Sequence, residues 1–121
     1  HEAKINNKNE VIIWGTGEPR REALYVDDLA DACIFLMQKY DHSEIINVGT
    51  GEDRTIKEIA KIIKEIAGFN GNLVFDTTKP DGMKRKLLDV SKINSLGWKA
   101  KIDLPEGLKI TYEWFLKNIV I

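Results

Sequence analysis

The sequence predicts a chain of the α/β or α+β class, because short apolar runs alternate with longer segments of helical periodicity. Three runs have the composition of buried strands: residues 10–14 (EVIIW), 45–48 (IINV) and 73–75 (LVF). The segments between and after them repeat apolar residues at spacings of three and four, as amphipathic helices do. The length of 121 residues lies near the commonest size of a single domain.

The composition excludes several classes of protein. Apolar residues make up 43% and charged residues 31%, which argues against a disordered or collagen-like chain. The 18 basic and 19 acidic side chains nearly cancel, so we expect neither a nucleic acid nor a membrane surface as partner. No apolar run approaches the roughly 18 residues of a membrane span, and the first ten residues do not resemble a signal peptide.

The first strand, 10–14, is followed by a tight loop at 15–19 and a predicted extended piece from Glu22 to Val26. Asp27 and Asp28 occupy the position where an N-cap is expected before a helix. That helix is apolar around nearly its whole circumference, so it should be buried on several sides, by more protein than a chain of this length supplies. Its apolar residues are Leu29, Ala30, Ala32, Cys33, Ile34, Phe35, Leu36 and Met37.

The middle of the chain has clearer signals. A strand at 45–48 should end at the Gly49-Thr50-Gly51 turn. Thr55 and Glu58 have the spacing of a capping box, which predicts the start of an amphipathic helix, and Gly68 is placed to end it.

The last third continues the alternation. A strand at 73–75 is followed by a polar loop at 76–86. Asp89 is a candidate cap for a short helix that should stop at Gly97. Asp103, with a proline and a glutamate behind it, predicts the start of a final helix. Four apolar or aromatic residues share one face of it: Leu108, Tyr112, Phe115 and Leu116.

The familiar catalytic motifs are absent from the sequence. Neither a G-x-S-x-G nor an H-E-x-x-H motif occurs, and His1, His42 and Cys33 have no spacing of a zinc site. Two G-x-G turns fail to complete the dinucleotide motif, because Arg20 and Arg54 stand where its last glycine belongs. Cys33, the single cysteine, is interpreted as a reduced thiol packed in its helix, which favours a cytoplasmic location.

Two local clusters of cations could bind an anion. The loop 79–86 contains four cations, and Arg20 with Arg21 forms a second cluster after another Gly/Pro loop. Such side chains could bind a phosphate or diphosphate, or they could simply be solvated loop charges. Trp14, at the end of a strand, could stack on a flat ring or could serve only for packing.

Several segments together resemble a known family. WGTGEPRRE (14–22), YVDDLA (25–30) and NVGTG (47–51) are similar to the C-terminal part of extended short-chain dehydrogenases/reductases that act on nucleotide sugars. KPDG (79–82) and RKLLDV (85–90) narrow the resemblance to the GDP-L-fucose synthase family. Its members are NADP-dependent 3,5-epimerase/4-reductases that convert GDP-4-keto-6-deoxy-D-mannose to GDP-L-fucose.

The resemblance implies that residues 1–121 are a C-terminal substrate-binding segment, inactive alone. In that family NADP is bound by an N-terminal Rossmann domain, which also contains a Tyr-x-x-x-Lys catalytic pair. None of the tyrosines in this chain is followed by such a lysine, so we assign no catalytic residue. The helix at 29–37 and the strand at 45–48 would return to the Rossmann domain, and the full-length enzyme would be a homodimer. A start at His1 rather than Met accords with a segment of a longer chain.

The resemblance also implies a set of residues that bind the GDP-sugar: Trp14, Arg21, Asp81 and Lys86. Arg21 would contact the diphosphate, Asp81 would accept a nucleoside hydrogen bond, and Lys86 would contact phosphate. Lys79 and Arg85 are weaker candidates. Two alternatives remain: a stand-alone nucleotide-sugar-binding module, or part of a related nucleotide-sugar epimerase or dehydratase. The apolar helix favours the first interpretation over a stand-alone module.

Overall fold

A computed structural model describes residues 1–119 of the chain, and it has the predicted mixture of helices and strands. The elements in chain order are α1 (Glu2–Ile5), β1 (Glu10–Trp14), β2 (Arg20–Arg21), α2 (Val26–Lys39), β3 (Arg54–Thr55), α3 (Ile56–Ala67), β4 (Asn72–Asp76), β5 (Arg85–Lys86), α4 (Ser91–Ser95) and α5 (Leu104–Asn118). The α/β class is therefore confirmed. Among the described residues, no helix combines the length and apolarity needed to cross a membrane.

The strands form two small sheets. β1 and β4 pair in parallel, in a register that runs from Glu10 opposite Asn72 to Trp14 opposite Asp76. These are the strands predicted at 10–14 and 73–75. The second sheet has the order β3-β2-β5, with β2 antiparallel to β3 and parallel to β5. Its three strands of two residues were not predicted. The expected extended piece at 22–26 forms no strand: β2 ends just before it, and α2 begins at its last residue, Val26. β5 lies in the expected loop.

Helices α3 and α5 begin as their capping residues predict. The Thr55 hydroxyl accepts the Glu58 amide at 3.1 Å, while the Glu58 carboxylate accepts the Thr55 amide at 2.8 Å. Gly68 ends α3 with φ of 65°, a left-handed conformation that costs glycine little. At α5, the Asp103 carboxylate accepts the Glu106 amide at 2.9 Å. Both caps are confirmed.

The N-cap predicted for α2 is wrong. The helix begins at Val26 with Tyr25 in the N-cap position, so Asp27 and Asp28 lie inside its first turn. The Asp28 carboxylate, in a residue only 4% exposed, accepts the backbone amides of Lys101 and Ile102, both at 2.9 Å. Asp28 thus satisfies two donors of a distant segment and not those of its own helix.

The apolar circumference of α2 is only partly covered. Ala32 is fully buried, whereas Leu29, Ile34 and Met37 are 43%, 55% and 79% exposed. Residues 1–119 thus cover only part of this helix, in line with the expectation that its apolar surface needs more protein than the chain supplies. Cys33 is also exposed, which corrects its interpretation as a packed thiol.

The strand predicted at 45–48 does not form. None of the described strands pairs with this segment, and a strand without a neighbour has no partner for its ladder hydrogen bonds. Ile45 is 90% exposed, while Ile46 and Val48 pack partly against the core. The apolar residues of the segment 45–48 therefore do not mark a strand: Ile46 and Val48 face the core, and Ile45 is exposed.

The core lies between α2 and α4. It consists of Ala32, Val90, Ile93 and Trp98, with partly buried residues packed around them. The short helix before Gly97 is confirmed, although Val90 takes the N-cap position. The Asp89 carboxylate accepts the Ser91 amide at 2.9 Å, so it still satisfies a donor of the first turn.

Candidate functional site

The three-stranded sheet brings the two cationic clusters together. Arg21 of β2 lies opposite Lys86 of β5 in the parallel pairing, and opposite Arg54 of β3 on its other side. Because side chains alternate along a strand, these three residues share one face of the sheet. Arg20 and Arg85, which are also register partners, share the other face.

Asp53 compensates the two arginines on that other face. Its Oδ1 accepts Nε of Arg20 at 2.8 Å and its Oδ2 accepts Nε of Arg85 at 2.5 Å. The carboxylate is only 3% exposed. Burial raises the pKa of Asp53, but the hydrogen bonds from both guanidinium groups outweigh it and the net pKa is lowered. The hydrogen bond from Asp53 likewise raises the pKa of Arg20.

Arg21 and Lys86 differ from Arg20 and Arg85 in their hydrogen-bond and ion-pair partners. Arg21 donates from Nη1 to its neighbour's carbonyl, at Arg20 O, 2.7 Å away. Among the described residues, neither Arg21 nor Lys86 forms an ion pair with a carboxylate. This register pair therefore keeps charge that an anionic ligand could use, as do Lys79 and Lys84 of the loop cluster.

Trp14 is not a core residue. It ends β1 with 72% of its surface exposed, which excludes the core-packing alternative. The ammonium of Lys79 lies 5.5 Å from the centre of its ring, at cation–π distance. An exposed indole beside a cation is able to stack on a flat ring.

Asp81 connects the loop after β4 to the loop after β1. Its Oδ1 accepts the backbone amide of Thr16 at 2.6 Å and its Oδ2 accepts the Thr16 hydroxyl at 2.7 Å. A Cβ at Gly15, whose φ is +87°, would overlap the Asp81 carboxylate. The expected ligand residue therefore also determines where the loop next to Trp14 lies.

Glu22 connects three segments around the same sheet, and sequence reasoning missed it as it missed Asp53. Its Oε1 accepts the Gly51 amide at 2.7 Å, and its Oε2 accepts the Leu88 amide at 2.9 Å. The only local signal for Glu22 is its place in the segment 14–22. The partners of both carboxylates lie 28 or more residues away along the chain.

The two glycine loops do not fit a dinucleotide. The Asp81 carboxylate lies against Gly15, and the Glu22 carboxylate lies where a side chain at Gly49 would be. A carboxylate in each loop would repel a phosphate there. The loop at 15–17 also leads through Pro19 to a strand, without the helix N-terminus that binds a pyrophosphate. Residues 1–119 contain no metal-ligating cluster of His, Cys, Asp or Glu.

A cavity of about 370 Å³ lies beside Arg21. It extends from β2 and β3 to the segment before α5, and its lining includes Arg21, Arg54, Thr50, Asn94 and Lys99. Trp14, Asp81 and Lys86 are not in this lining. The fold thus pairs Arg21 with Lys86 and brings Asp81 to the loop beside Trp14, but it does not place all four expected ligand residues in one cavity.

Comparison with known proteins gives the chain its family. The model of the NAD dependent epimerase/dehydratase family matches residues 2–49. The chain is also 56% identical, over 98% of its length, to GDP-L-fucose synthase 1 of Arabidopsis thaliana. It belongs to the NAD-dependent epimerase/dehydratase family. It spans about 37% of the length of that relative.

Two solved structures of family members are similar to the fold. A GDP-L-fucose synthetase from Naegleria fowleri, bound to NADP, superposes with a TM-score of 0.90 at 32% identity, over 97% of this chain and 37% of that one. A GDP-6-OMe-4-keto-L-xylo-heptose reductase from C. jejuni gives a TM-score of 0.82 at 48% identity, over 90% of this chain and 34% of that one.

Proposed function

We propose that this chain is the GDP-sugar-binding, C-terminal part of an NADP-dependent GDP-L-fucose synthase. The parent enzyme would convert GDP-4-keto-6-deoxy-D-mannose to GDP-L-fucose. NADP and the catalytic residues would belong to the remainder of the longer protein, because neither glycine loop of this chain fits a dinucleotide. The observation that carries the proposal is the register pairing of Arg21 with Lys86 in a relative of such enzymes.

The pair is suited to a diphosphate. Neighbouring strands lie about 4.8 Å apart, so two cations on one face can contact adjacent phosphates of one ligand. Arg21 supplies a planar fork of donors, and Lys86 supplies a compact charge. Neither forms an ion pair with a carboxylate among residues 1–119.

Trp14 and Asp81 would contact the nucleoside. The exposed indole offers a stacking surface for a flat base. Asp81 already accepts two hydrogen bonds from Thr16, but each carboxylate oxygen can accept a further one. Asp81 would then both position its loop and accept an N–H of the base.

The exposed apolar side of α2 and the segment 45–48 would pack against the NADP-binding domain of the longer protein. Exposed Ile34, Met37 and Ile45 support this arrangement, because apolar side chains in such number are usually covered. The homodimer would form through that same remainder. A cytoplasmic location accords with Cys33, which as the only cysteine has no partner within the chain for a disulfide.

A second candidate is a reductase of another GDP-linked 4-keto sugar. Its basis is the 48% identity to the GDP-6-OMe-4-keto-L-xylo-heptose reductase of C. jejuni, which exceeds the 32% to the solved GDP-L-fucose synthetase of Naegleria fowleri but not the 56% to GDP-L-fucose synthase 1 of Arabidopsis thaliana. Both candidates use the same diphosphate contacts. They differ in the sugar.

An assay of the full-length protein that contains this chain tests both. We expect oxidation of NADPH with GDP-4-keto-6-deoxy-D-mannose and formation of GDP-L-fucose, and none with residues 1–121 alone. Turnover only with the GDP-linked 4-keto-heptose would favour the second candidate. Turnover with neither sugar would refute both, and turnover by residues 1–121 would refute the assignment of catalysis to the remainder.

A further inference from the structure

Asp53 makes contacts that connect all three strands of the small sheet. It directly precedes β3, and its carboxylate accepts hydrogen bonds from Arg20 on β2 and Arg85 on β5. Arg20 adds a third contact, from Nη2 to the Asp53 carbonyl at 3.0 Å. The charged atoms of Asp53 are almost completely buried beneath the two guanidinium groups.

Strands this short do not determine their own register. β2 and β5 have two residues each, so few ladder hydrogen bonds are available to favour one alignment over another. A slip of one residue would transfer every side chain of the strand to the opposite face. After such a slip, Arg21 would no longer share a face with Lys86 as its register partner.

The geometry points to Asp53 as the positioning residue for the diphosphate site. By accepting Arg20 and Arg85 on one face, it fixes the register that places Arg21 beside Lys86 on the other. This role rests on the proposed function. Asp53 itself does not contact the ligand, because its carboxylate is occupied by the two arginines on the far face.

Removal of the Asp53 charge separates positioning from simple electrostatics. Asp53→Asn makes the neighbourhood of the cations more positive by one charge, so electrostatic attraction alone predicts tighter binding of an anion. Loss of register predicts weaker binding. The two explanations therefore predict opposite changes in the affinity for an anion.

The experiment measures the Kd of GDP for the full-length protein by calorimetry, together with KM and kcat for the GDP-sugar. The variants are Asp53→Asn and, as matched control, Asp28→Asn. Asp28 is also a buried carboxylate that accepts two hydrogen bonds, but it accepts them from the backbone amides of Lys101 and Ile102 and not from a residue of β2 or β5. A loss of binding caused by general destabilisation would affect both variants.

We expect Asp53→Asn to weaken GDP binding at least tenfold and to raise KM with kcat within twofold, while Asp28→Asn leaves both Kd and KM within twofold. Unchanged or tighter GDP binding in Asp53→Asn would overturn the positioning role, as would an equal loss in both variants. A wild-type protein that does not bind GDP would overturn the proposed function as well, which distinguishes the two failures.

Discussion

Arg21 and Lys86 lie opposite each other on neighbouring parallel strands, although 65 positions separate them in the sequence. Their neighbours Arg20 and Arg85 form the matching pair on the other face, where Asp53 accepts both. One small sheet thus separates compensated cations from cations that lack a carboxylate partner among residues 1–119. That separation supports the assignment of Arg21 and Lys86, and not their neighbours, to an anionic ligand.

The close approach of Gly15 to Asp81 predicts a strong effect of a single methyl group. Gly15→Ala would place a Cβ in the Asp81 carboxylate at a backbone φ of +87°. We expect a lower melting temperature of the full-length protein and weaker GDP binding, because the loop beside Trp14 must move.

Gly82→Ala is the matched control for that substitution. Gly82 also has a positive φ, +75°, but no described heavy atom lies within 4 Å of its Cβ position. We therefore expect Gly82→Ala to lower the free energy of unfolding only by the cost of a left-handed backbone at alanine, about 1–2 kcal/mol. Equal melting temperatures for the two variants would contradict the role of the Asp81 contact.

Asp28 provides a second prediction, on stability. Asp28→Asn replaces a buried charged acceptor of two backbone amides, and hydrogen bonds to charged groups contribute about 1.5–3 kcal/mol. We expect the free energy of unfolding to fall by an amount in that range in chemical denaturation of the full-length protein. The exposed neighbour Asp27→Asn should change it by less than about 0.5 kcal/mol.

The lowered pKa of Asp53 predicts that the stability of the folded chain depends on pH. Because the folded chain binds this proton less readily than the unfolded chain, Asp53 contributes stability above its ordinary pKa, about 4, and loses it as pH falls towards the folded value. The stability difference between wild type and Asp53→Asn should therefore shrink between pH 6 and pH 3. A difference that stays constant in urea denaturation over this range would contradict the ion triad.

The sequence predicts local structure well where the signal and its partner are close together. The capping box of Thr55 and Glu58 and the cap at Asp103 involve residues three apart, and both form as expected. β1 and β4 are also predicted correctly from their apolar runs. Family resemblance then supplies candidate ligand residues that spacing alone does not reveal.

Long-range partners explain what sequence reasoning missed. Asp28 is a residue type that often caps helices, but its carboxylate accepts hydrogen bonds from backbone amides 73 and 74 residues away. The segment 45–48 has the composition of a strand but no neighbouring strand among those described. The roles of Glu22 and Asp53 likewise depend on contacts that exist only after the sheet β3-β2-β5 has formed.

Calorimetric titration of GDP into the full-length protein tests the central claim most directly. Arg21→Ala and Lys86→Ala should each weaken binding by about 1.5–3 kcal/mol, roughly a 10- to 150-fold increase in Kd, while Lys61→Ala on the exposed side of α3 should leave Kd unchanged. Wild-type Kd values in both Arg21→Ala and Lys86→Ala would contradict the assignment of this strand pair to the diphosphate.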